Sequence, residues 1–300
     1  MIYRGYEIIE EKNKITVKGV NDFNPVHIFE CGQCFRWKKQ KDGSYTGIAA
    51  GRILNINHVA EGLELTNTNL WDFKEFWFDY FDLGRDYSKI KGMLSRKDDI
   101  MKSAVEFGQG MRILRQDIWE MLISFILSAQ NAIPRIMKTV EEISRMYGEE
   151  LLFDGVPYYT FPARGKLAGA NFDVLKLCKA GFRCKFIIKS SQMVHDSLIQ
   201  LDNIQGLETD AARNELMKFY GVKNKIADCV LLYSGTKYDV FPTDIWIKRV
   251  MEELYFKREA NPKEIQEFAR EYFGELAGFA QQYLFYYARE NKIGTHKRTG

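Results

Sequence analysis

The segment 215–250 contains the residues whose order best suits chemistry, Lys225 and Asp244. A helical stretch ends before Gly221, a short turn follows, and a second helical stretch begins near Asn224. Gly221 can supply the positive φ that such a tight turn needs. The pattern predicts a helix-hairpin-helix followed by a loop, an acid and a third helix.

Backbone N–H groups at the start of the second predicted helix would point outward together. Such a group of donors binds a phosphate without reading base sequence. We therefore expect a DNA phosphate at the hairpin, whose residues are Gly221, Val222, Lys223 and Asn224.

Lys225 falls in the first turn of that second helix. Burial and the positive end of the helix dipole would both lower the pKa of its amine. An ordinary lysine, with a pKa of about 10.4, is protonated at neutral pH and cannot attack. Lys225 is therefore a candidate nucleophile, and a surface lysine that contacts phosphate is the alternative.

Asp244 follows Phe241, Pro242 and Thr243, so a rigid turn places its carboxylate at the start of the next helix. Helix capping alone would explain an aspartate there. A fixed carboxylate in a water-poor site can also stabilise positive charge on a sugar as its base departs. Lys225 and Asp244 together suit glycosyl transfer: Lys225 attacks C1′, the base leaves, an imine forms, and β-elimination follows.

The chain before this segment divides into two kinds of pattern. From Tyr6 to about Thr68, short runs that alternate polar and apolar residues predict an antiparallel sheet. From Trp71 onward, apolar residues mostly recur at helical spacing. The fold class is therefore α+β, with a sheet domain at 1–105, including flanking helices, and an all-helical domain at 106–300.

Most of the second half is predicted to be helical. The exception is the stretch from Leu151 to Asp173, whose prolines and glycines indicate a loop or short turns. The predicted helices of this half span 117–129, 133–147, 211–219, 225–233, 244–254, 262–273 and 279–289.

The composition of the chain excludes fewer classes of function than its motifs do. The net charge of +3 is compatible with a polyanionic partner and equally with a mixed-charge surface. The N-terminus lacks a secretion signal and no long apolar run is present, so we expect a cytoplasmic or nucleoid-associated protein without membrane contact. Neither a P-loop nor a dinucleotide-binding glycine motif occurs.

The cysteines raise the question of a metal. Five in a long chain favour free buried thiols over disulfides. Cys31 and Cys34 have knuckle spacing, and Cys178 with Cys184 could complete a zinc site, but a lone C-x2-C is a weak signal. The absence of a four-cysteine run after Cys229 argues against an iron–sulfur cluster. We expect no metal and no cofactor.

Several motifs, in the same order, resemble the 8-oxoguanine glycosylases of the helix-hairpin-helix/Gly-Pro-Asp (HhH-GPD) superfamily. Besides 215–250, they are CGQCFRW from Cys31, LRQDIWE from Leu114, SAQNAIPR from Ser128, GFR from Gly181 and AGFAQQYLF from Ala277. The resemblance implies a sheet domain like that of the TATA-binding protein, followed by the helical domain. It also implies a bifunctional glycosylase/lyase that flips out 8-oxoguanine from double-stranded DNA, and it allows a monovalent cation at the hairpin.

The resemblance assigns a lesion pocket. 8-Oxoguanine carries an N–H at N7 where guanine has an acceptor, so one well-placed acceptor can tell them apart. The family pattern gives that role to the Gly32 carbonyl, the sandwich of the base to Cys229 and Phe285, and its pairing edge to Gln281. By itself, the spacing of Cys229 and Phe285 more often indicates core packing.

A second group would fill the gap that the flipped base leaves and hold the orphan cytosine. By resemblance it consists of Gln130, Asn131, Arg135, Phe182 and Arg183. Cytosine presents acceptors at O2 and N3, so two guanidinium groups could recognise it by donation alone. Plain phosphate contacts by these arginines are the alternative.

The sequence departs from the family pattern at four positions. Lys223 replaces a usual hairpin glycine, Gln130 a usual asparagine, Phe182 a common tyrosine, and Trp246 a frequent histidine. These changes affect the tightness of the hairpin, the choice of opposite base and phosphate contact near Trp246. Two other functions remain open: an alkylpurine glycosylase, against which Lys225 argues, and a non-enzymatic DNA-binding module. One flipped base per protein requires only a monomer.

Overall fold

The computed structural model describes residues 1–294. Its N-terminal part contains a seven-stranded sheet in the order β1-β2-β3-β7-β6-β5-β4, with every neighbouring pair antiparallel. The strands are β1 (Ile2–Tyr3), β2 (Tyr6–Glu11), β3 (Lys14–Lys18), β4 (Trp37–Lys39), β5 (Tyr45–Ala49), β6 (Arg52–Val59) and β7 (Gly62–Thr66). The predicted antiparallel sheet is confirmed.

Strand β3 shows why these residues form a sheet. Ile15 and Val17 alternate with polar residues and are fully buried. They lie opposite Leu65 and Leu63 of β7, which are also fully buried. Side chains of a strand point alternately to opposite faces, so this pattern fixes the register and leaves the other face to polar residues.

Helices make up most of the remainder. The earlier ones are α1 (Pro25–Phe29), α2 (Leu70–Asp72), α3 (Phe78–Tyr80), α4 (Tyr87–Ser95), α5 (Asp99–Phe107), α6 (Ile118–Ser128) and α7 (Ile133–Tyr147). The later ones are α8 (Arg164–Ala168), α9 (Phe172–Leu177), α10 (Cys184–His195), α11 (Thr209–Met217), α12 (Asn224–Tyr233), α13 (Ile245–Val250), α14 (Pro262–Phe273) and α15 (Ala277–Glu290). The predicted bounds of α7 and α14 are confirmed.

Short helical segments other than α-helix join or extend some of these helices. A π-helical segment, Phe73–Trp77, connects α2 to α3, and a second, Met251–Phe256, continues α13. Short 3-10 segments occupy Gly181–Arg183, Leu201–Gly206 and Gly274–Leu276.

Two parts of the helical half differ from the sequence prediction. The stretch predicted as loop contains a hairpin of two antiparallel strands, β8 (Glu150–Phe153) and β9 (Val156–Tyr159). Pro157 favoured the prediction of a loop, because proline is rare inside sheets. It is tolerated here because a two-stranded hairpin consists only of edge strands. Helix α10 was missed because two serines, Ser190 and Ser191, are buried on its inner face and interrupt the apolar period. The domain is therefore mainly helical rather than all-helical.

The described residues form two hydrophobic cores, one under the sheet and one among the helices, and the loop at 30–36 belongs to both. Cys34 packs in the sheet core, whereas Cys31 and Phe35 pack in the helical core. The loop is therefore the place where a residue of the sheet domain can be held against the helices.

Gln33 fixes this loop. Its side chain is fully buried, and its Nε2 donates to the carbonyls of Ile28 at 2.9 Å and Arg112 at 2.7 Å. Its Oε1 accepts from the Leu114 N–H at 2.8 Å. Gln116 donates to the Gln33 carbonyl at 2.9 Å. The side-chain amide and the backbone carbonyl of Gln33 thus all have partners, which makes the loop costly to displace.

The zinc alternative finds no geometric support. Within residues 1–294, no group of three or more His, Cys, Asp or Glu side chains could hold a metal ion. Cys31 and Cys34 belong to different cores, so their C-x2-C spacing does not form a metal-binding loop. Over the same residues, no helix has both the length and the apolar character needed to cross a membrane.

Candidate active site

The hairpin that precedes α12 has the predicted turn. Gly221 has φ +78°, and a Cβ there would lie 2.5 Å from the Phe186 ring. The position therefore requires glycine both for its conformation and for its close packing. Lys223 occupies the N-cap of α12 without a side-chain cap, so the first N–H groups of the helix are left for an external acceptor.

Lys225 lies in the first turn of α12 and is half-buried. Its Nζ donates to Ser128 Oγ at 3.4 Å and lies 5.5 Å from the centroid of the Phe125 ring. Within the described residues, no carboxylate forms a salt bridge with it. The amine of Lys225 is therefore held at the end of α6 by the hydroxyl of Ser128 and the ring of Phe125, and it is not paired with a carboxylate there.

Asp244 is the N-cap of α13, as predicted, and is also half-buried. Its Oδ1 accepts from the Ile247 N–H at 2.8 Å. Burial raises the pKa of its carboxyl, and that N–H and the charge of Lys225 oppose the rise. The Asp244 carboxylate is thus poorly solvated and interacts electrostatically with the positive charge of Lys225.

Cys229 lies one helical turn after Lys225 and is buried. Burial raises the pKa of its thiol to about 12, with Lys225 lowering it and Asp244 raising it. Because it interacts with both charges, the three groups lie close together. The thiol is neutral at physiological pH and can therefore form an apolar wall, but it cannot serve as a nucleophile.

Gly32 faces Phe285 across the junction between the two cores. It has φ +92°, and a Cβ there would lie 2.9 Å from Ile133 Cδ1 and 3.5 Å from Phe285 Cε1. Gln282 donates to the neighbouring Cys31 carbonyl at 3.4 Å. The structure therefore brings together two residues that are far apart in sequence and were both assigned to the lesion pocket.

Gln281 lies one turn before Phe285 on α15 and is buried. Its Oε1 has no hydrogen-bond partner within residues 1–294. A buried acceptor without a partner costs free energy, about 1–3 kcal/mol in proteins. A ligand that donates to this oxygen would remove that cost.

A second cluster lies where α6 ends. Gln130 is exposed with φ +50°, a conformation in which asparagine is favoured over glutamine. Arg183 braces this turn: its guanidinium donates to the carbonyl of Ala129, with Nε at 2.8 Å, and to that of Gln130 at 3.1 Å. Asn131 Nδ2 donates to the Leu127 carbonyl at 3.1 Å.

Two more members of the cluster are open to a partner. Phe182 is 55% exposed, with the Arg183 guanidinium carbon 4.4 Å from its ring centroid. Arg135 is exposed, and in the described residues its guanidinium makes no hydrogen bond. Burial lowers the pKa of Arg183, and the charge of Arg135 lowers it further, so the two guanidinium groups are neighbours. Trp246 is half-buried, with Arg249 5.8 Å from its ring centroid.

Sequence reasoning missed the residues that hold these groups in place. Gln282 donates to the loop before Gly32, and Tyr233 donates to Gln282 Oε1. Ser128 and Arg289 contact Lys225 and the Gly32 loop respectively. The only available signal was their polar character at helix positions that are otherwise apolar.

Two family models cover most of the chain. The model described as 8-oxoguanine DNA glycosylase, N-terminal domain, matches residues 15–122. The model described as HhH-GPD superfamily base excision DNA repair protein matches residues 123–275.

The chain belongs to the 8-oxoguanine DNA glycosylase family. It is a member of the HhH-GPD superfamily and an N-glycosylase/DNA lyase of base excision repair. A probable N-glycosylase/DNA lyase of Methanothermobacter thermautotrophicus is 31% identical over 240 residues, which cover 73% of this chain and 76% of the relative. The non-enzymatic DNA-binding module is thereby excluded.

Solved structures of the family superpose closely. The 8-oxoguanine glycosylase/lyase of Clostridium acetobutylicum, in complex with double-stranded DNA containing cytosine opposite 8-oxoguanine, is 44% identical, has a TM-score of 0.94 and shares 96% of this chain and 99% of its own. MBOgg1, in complex with a low-affinity DNA ligand, is 49% identical with the same TM-score and the same coverage. A 3-methyladenine DNA glycosylase of Archaeoglobus fulgidus, with 19% identity and a TM-score of 0.73, shares the fold alone.

The raised pKa of Asp244 predicts the effect of Asp244→Asn. A carboxyl whose pKa is raised by folding destabilises the folded state at every pH above its unfolded pKa, where the unfolded chain holds the charge more easily. At pH 7 the variant should therefore melt about 2 °C higher, since Asn Oδ1 can still cap α13, while excision falls by about a hundredfold or more. Calorimetry and single-turnover excision measure both.

The matched control is Asp86→Asn, an exposed N-cap that accepts from the Lys89 N–H at 3.0 Å. Both its melting temperature and its excision rate should stay unchanged, because Asn and Asp cap equally well. A lower melting temperature for Asp244→Asn would show that its carboxylate stabilises the fold.

Proposed function

We propose that Lys225 is the nucleophile that releases 8-oxoguanine and that Asp244 stabilises the positive charge developing on the sugar. The nitrogen lone pair of Lys225 forms a bond to C1′ as the C1′–N9 bond breaks; the base leaves with the electron pair and takes up the proton that the nitrogen gives up. The C1′–O4′ bond then breaks, O4′ takes up a proton, and an imine remains between Lys225 and C1′. Loss of a C2′ proton and departure of the 3′ phosphate by β-elimination cut the strand.

The observation that carries this proposal is the convergence of α12, α13 and the end of α6. Lys225 Nζ is held by Ser128 Oγ at 3.4 Å without a carboxylate partner among the described residues. Asp244 acts on the same Cys229 thiol as Lys225, so its carboxylate lies near the amine without neutralising it. In this arrangement the carboxylate can stabilise a sugar cation placed between the two groups.

The lesion pocket is proposed at the junction of the two cores. Gly32 would accept from the N7–H of 8-oxoguanine, with Phe285 and Cys229 on the two faces of the base. Gln281 Oε1, buried without a partner in residues 1–294, would accept from the pairing edge. Guanine has no hydrogen at N7, so its lone pair would face the Gly32 carbonyl oxygen and weaken binding.

The remaining groups are proposed to hold the DNA. The uncapped start of α12, with Gly221, Val222, Lys223 and Asn224, binds a backbone phosphate. Phe182 and Asn131 occupy the gap left by the flipped base, next to Gln130. We also propose a domain boundary near residue 105 and a monomeric protein. The proposed substrate is double-stranded DNA that contains 8-oxoguanine opposite cytosine.

Borohydride trapping tests the nucleophile. Hydride reduces the imine to a stable amine, so the protein should become covalently joined to a duplex with 8-oxoguanine opposite cytosine. Lys225→Gln should form no adduct, because the side chain cannot make an imine. Lys218→Gln, an exposed lysine at the end of α11 that pairs with Glu215, is the control and should still form it.

An adduct that persists in Lys225→Gln would assign the imine to another amine. Base release without an adduct in the unmodified protein would indicate attack by water. Either result rejects the proposed mechanism, and the family assignment would stand.

The two arginines near the gap should differ in effect. Arg183 donates to three backbone carbonyls, so we propose that it positions the Gln130 turn, whereas Arg135 is free to donate to cytosine. Arg135→Gln should lower the preference for cytosine over adenine opposite the lesion by about fivefold or more, with an unchanged melting temperature. Arg183→Gln should lower the melting temperature by about 2–4 °C.

Excision from duplexes with cytosine or adenine opposite the lesion measures this preference. Lys138→Gln, one turn further along α7, is the control and should keep it. If Arg135→Gln also keeps it, Arg135 contacts only phosphate.

A further inference from the structure

Arg289 lies on the same face of α15 as two proposed pocket residues. Gln281, Phe285 and Arg289 follow one another at intervals of one helical turn, so their side chains share one stripe of the helix. Arg289 is outside the motifs that matched the family pattern. Its position directs it to the same junction between the helices and the Gly32 loop.

The guanidinium of Arg289 contacts this loop directly. Its Nη2 donates to the Glu30 carbonyl at 2.7 Å. Its Nη1 lies 3.3 Å from the point where a Cβ of Gly32 would be. Its Nε donates to Glu290 at 2.9 Å, which holds the plane of the group.

The same group lies beside the ring of Phe285. The guanidinium carbon is 5.6 Å from the ring centroid of Phe285 and 5.5 Å from that of Tyr286. At these distances a guanidinium is attracted to an aromatic face. A planar, delocalised cation can satisfy a carbonyl and two rings at once, which a lysine ammonium cannot do with equal geometry.

We propose that Arg289 is a positioning residue that sets lesion specificity. It fixes the backbone before Gly32 and the ring that stacks on the base, while Gln33 fixes the backbone after Gly32. A hydrogen bond to the N7–H requires an N to O distance of about 2.7–3.2 Å, so a carbonyl held from both sides discriminates better than a mobile one. This inference rests on the proposed lesion pocket.

Equilibrium binding in a Lys225→Gln background tests the role without requiring catalysis. Arg289→Met is added, which keeps an unbranched apolar side chain and removes the donors and the charge. Three duplexes carry 8-oxoguanine, guanine or a stable abasic-site analogue opposite cytosine. The abasic duplex presents no base to the pocket and so reports on all other DNA contacts.

We expect Arg289→Met to weaken binding of the 8-oxoguanine duplex about tenfold and binding of the abasic duplex less than twofold. Arg289→Lys, which keeps a donor for the Glu30 carbonyl, should lose less affinity and serves as the second variant if Arg289→Met folds poorly. Arg145→Met, on the exposed end of α7, is the matched control and should bind all three duplexes normally.

Equal losses on the 8-oxoguanine and abasic duplexes would overturn the proposal, because they indicate general structural damage. Unchanged binding of the 8-oxoguanine duplex would overturn it as well. If Lys225→Gln alone binds the 8-oxoguanine and guanine duplexes alike, the lesion pocket itself fails, and this inference with it. Failure of the lysine chemistry would appear only in borohydride trapping, so the two outcomes are distinguishable.

Discussion

The buried carboxamide of Gln33 is the interaction on which the geometry of this protein depends. It binds two carbonyls and one N–H that belong to segments far apart in sequence, Ile28, Arg112 and Leu114. A fully satisfied buried amide is costly to move, because any displacement leaves several polar groups without partners. The loop that carries Gly32 is therefore fixed between the sheet core and the helical core, and the proposed lesion pocket forms where they meet.

In the proposed active site, burial acts on a charged group. Asp244 is held in a place where its charge is poorly solvated, and burial raises its pKa. Such an arrangement destabilises the folded protein and favours a cation that forms beside the carboxylate. The cap to Ile247 fixes its direction, and Ser128 together with Phe125 fixes that of Lys225. The large buried cores on either side supply the stability that this site does not.

The sequence predicted the parts of this site that follow from local order. Gly221, the start of α12 and the cap at Asp244 could all be predicted, because each depends on residues within a few positions of it. Gln33 and Arg289 could not, since their roles depend on contacts with residues up to 259 positions away. The β8–β9 hairpin and α10 were missed for a similar reason: Pro157, Ser190 and Ser191 are tolerated by their surroundings and not by local propensity.

The central claim is that the fixed carbonyl of Gly32 distinguishes the lesion from guanine, and Gly32→Ala in a Lys225→Gln background tests it most directly. At φ +92° alanine is strained, and its Cβ would lie 2.9 Å from Ile133 Cδ1, so that either this methyl group or the loop has to move. The measurement is the ratio of affinities for duplexes with 8-oxoguanine and with guanine opposite cytosine. The account predicts that this ratio falls towards one while binding of an abasic duplex is retained; an unchanged ratio in a folded variant would contradict it.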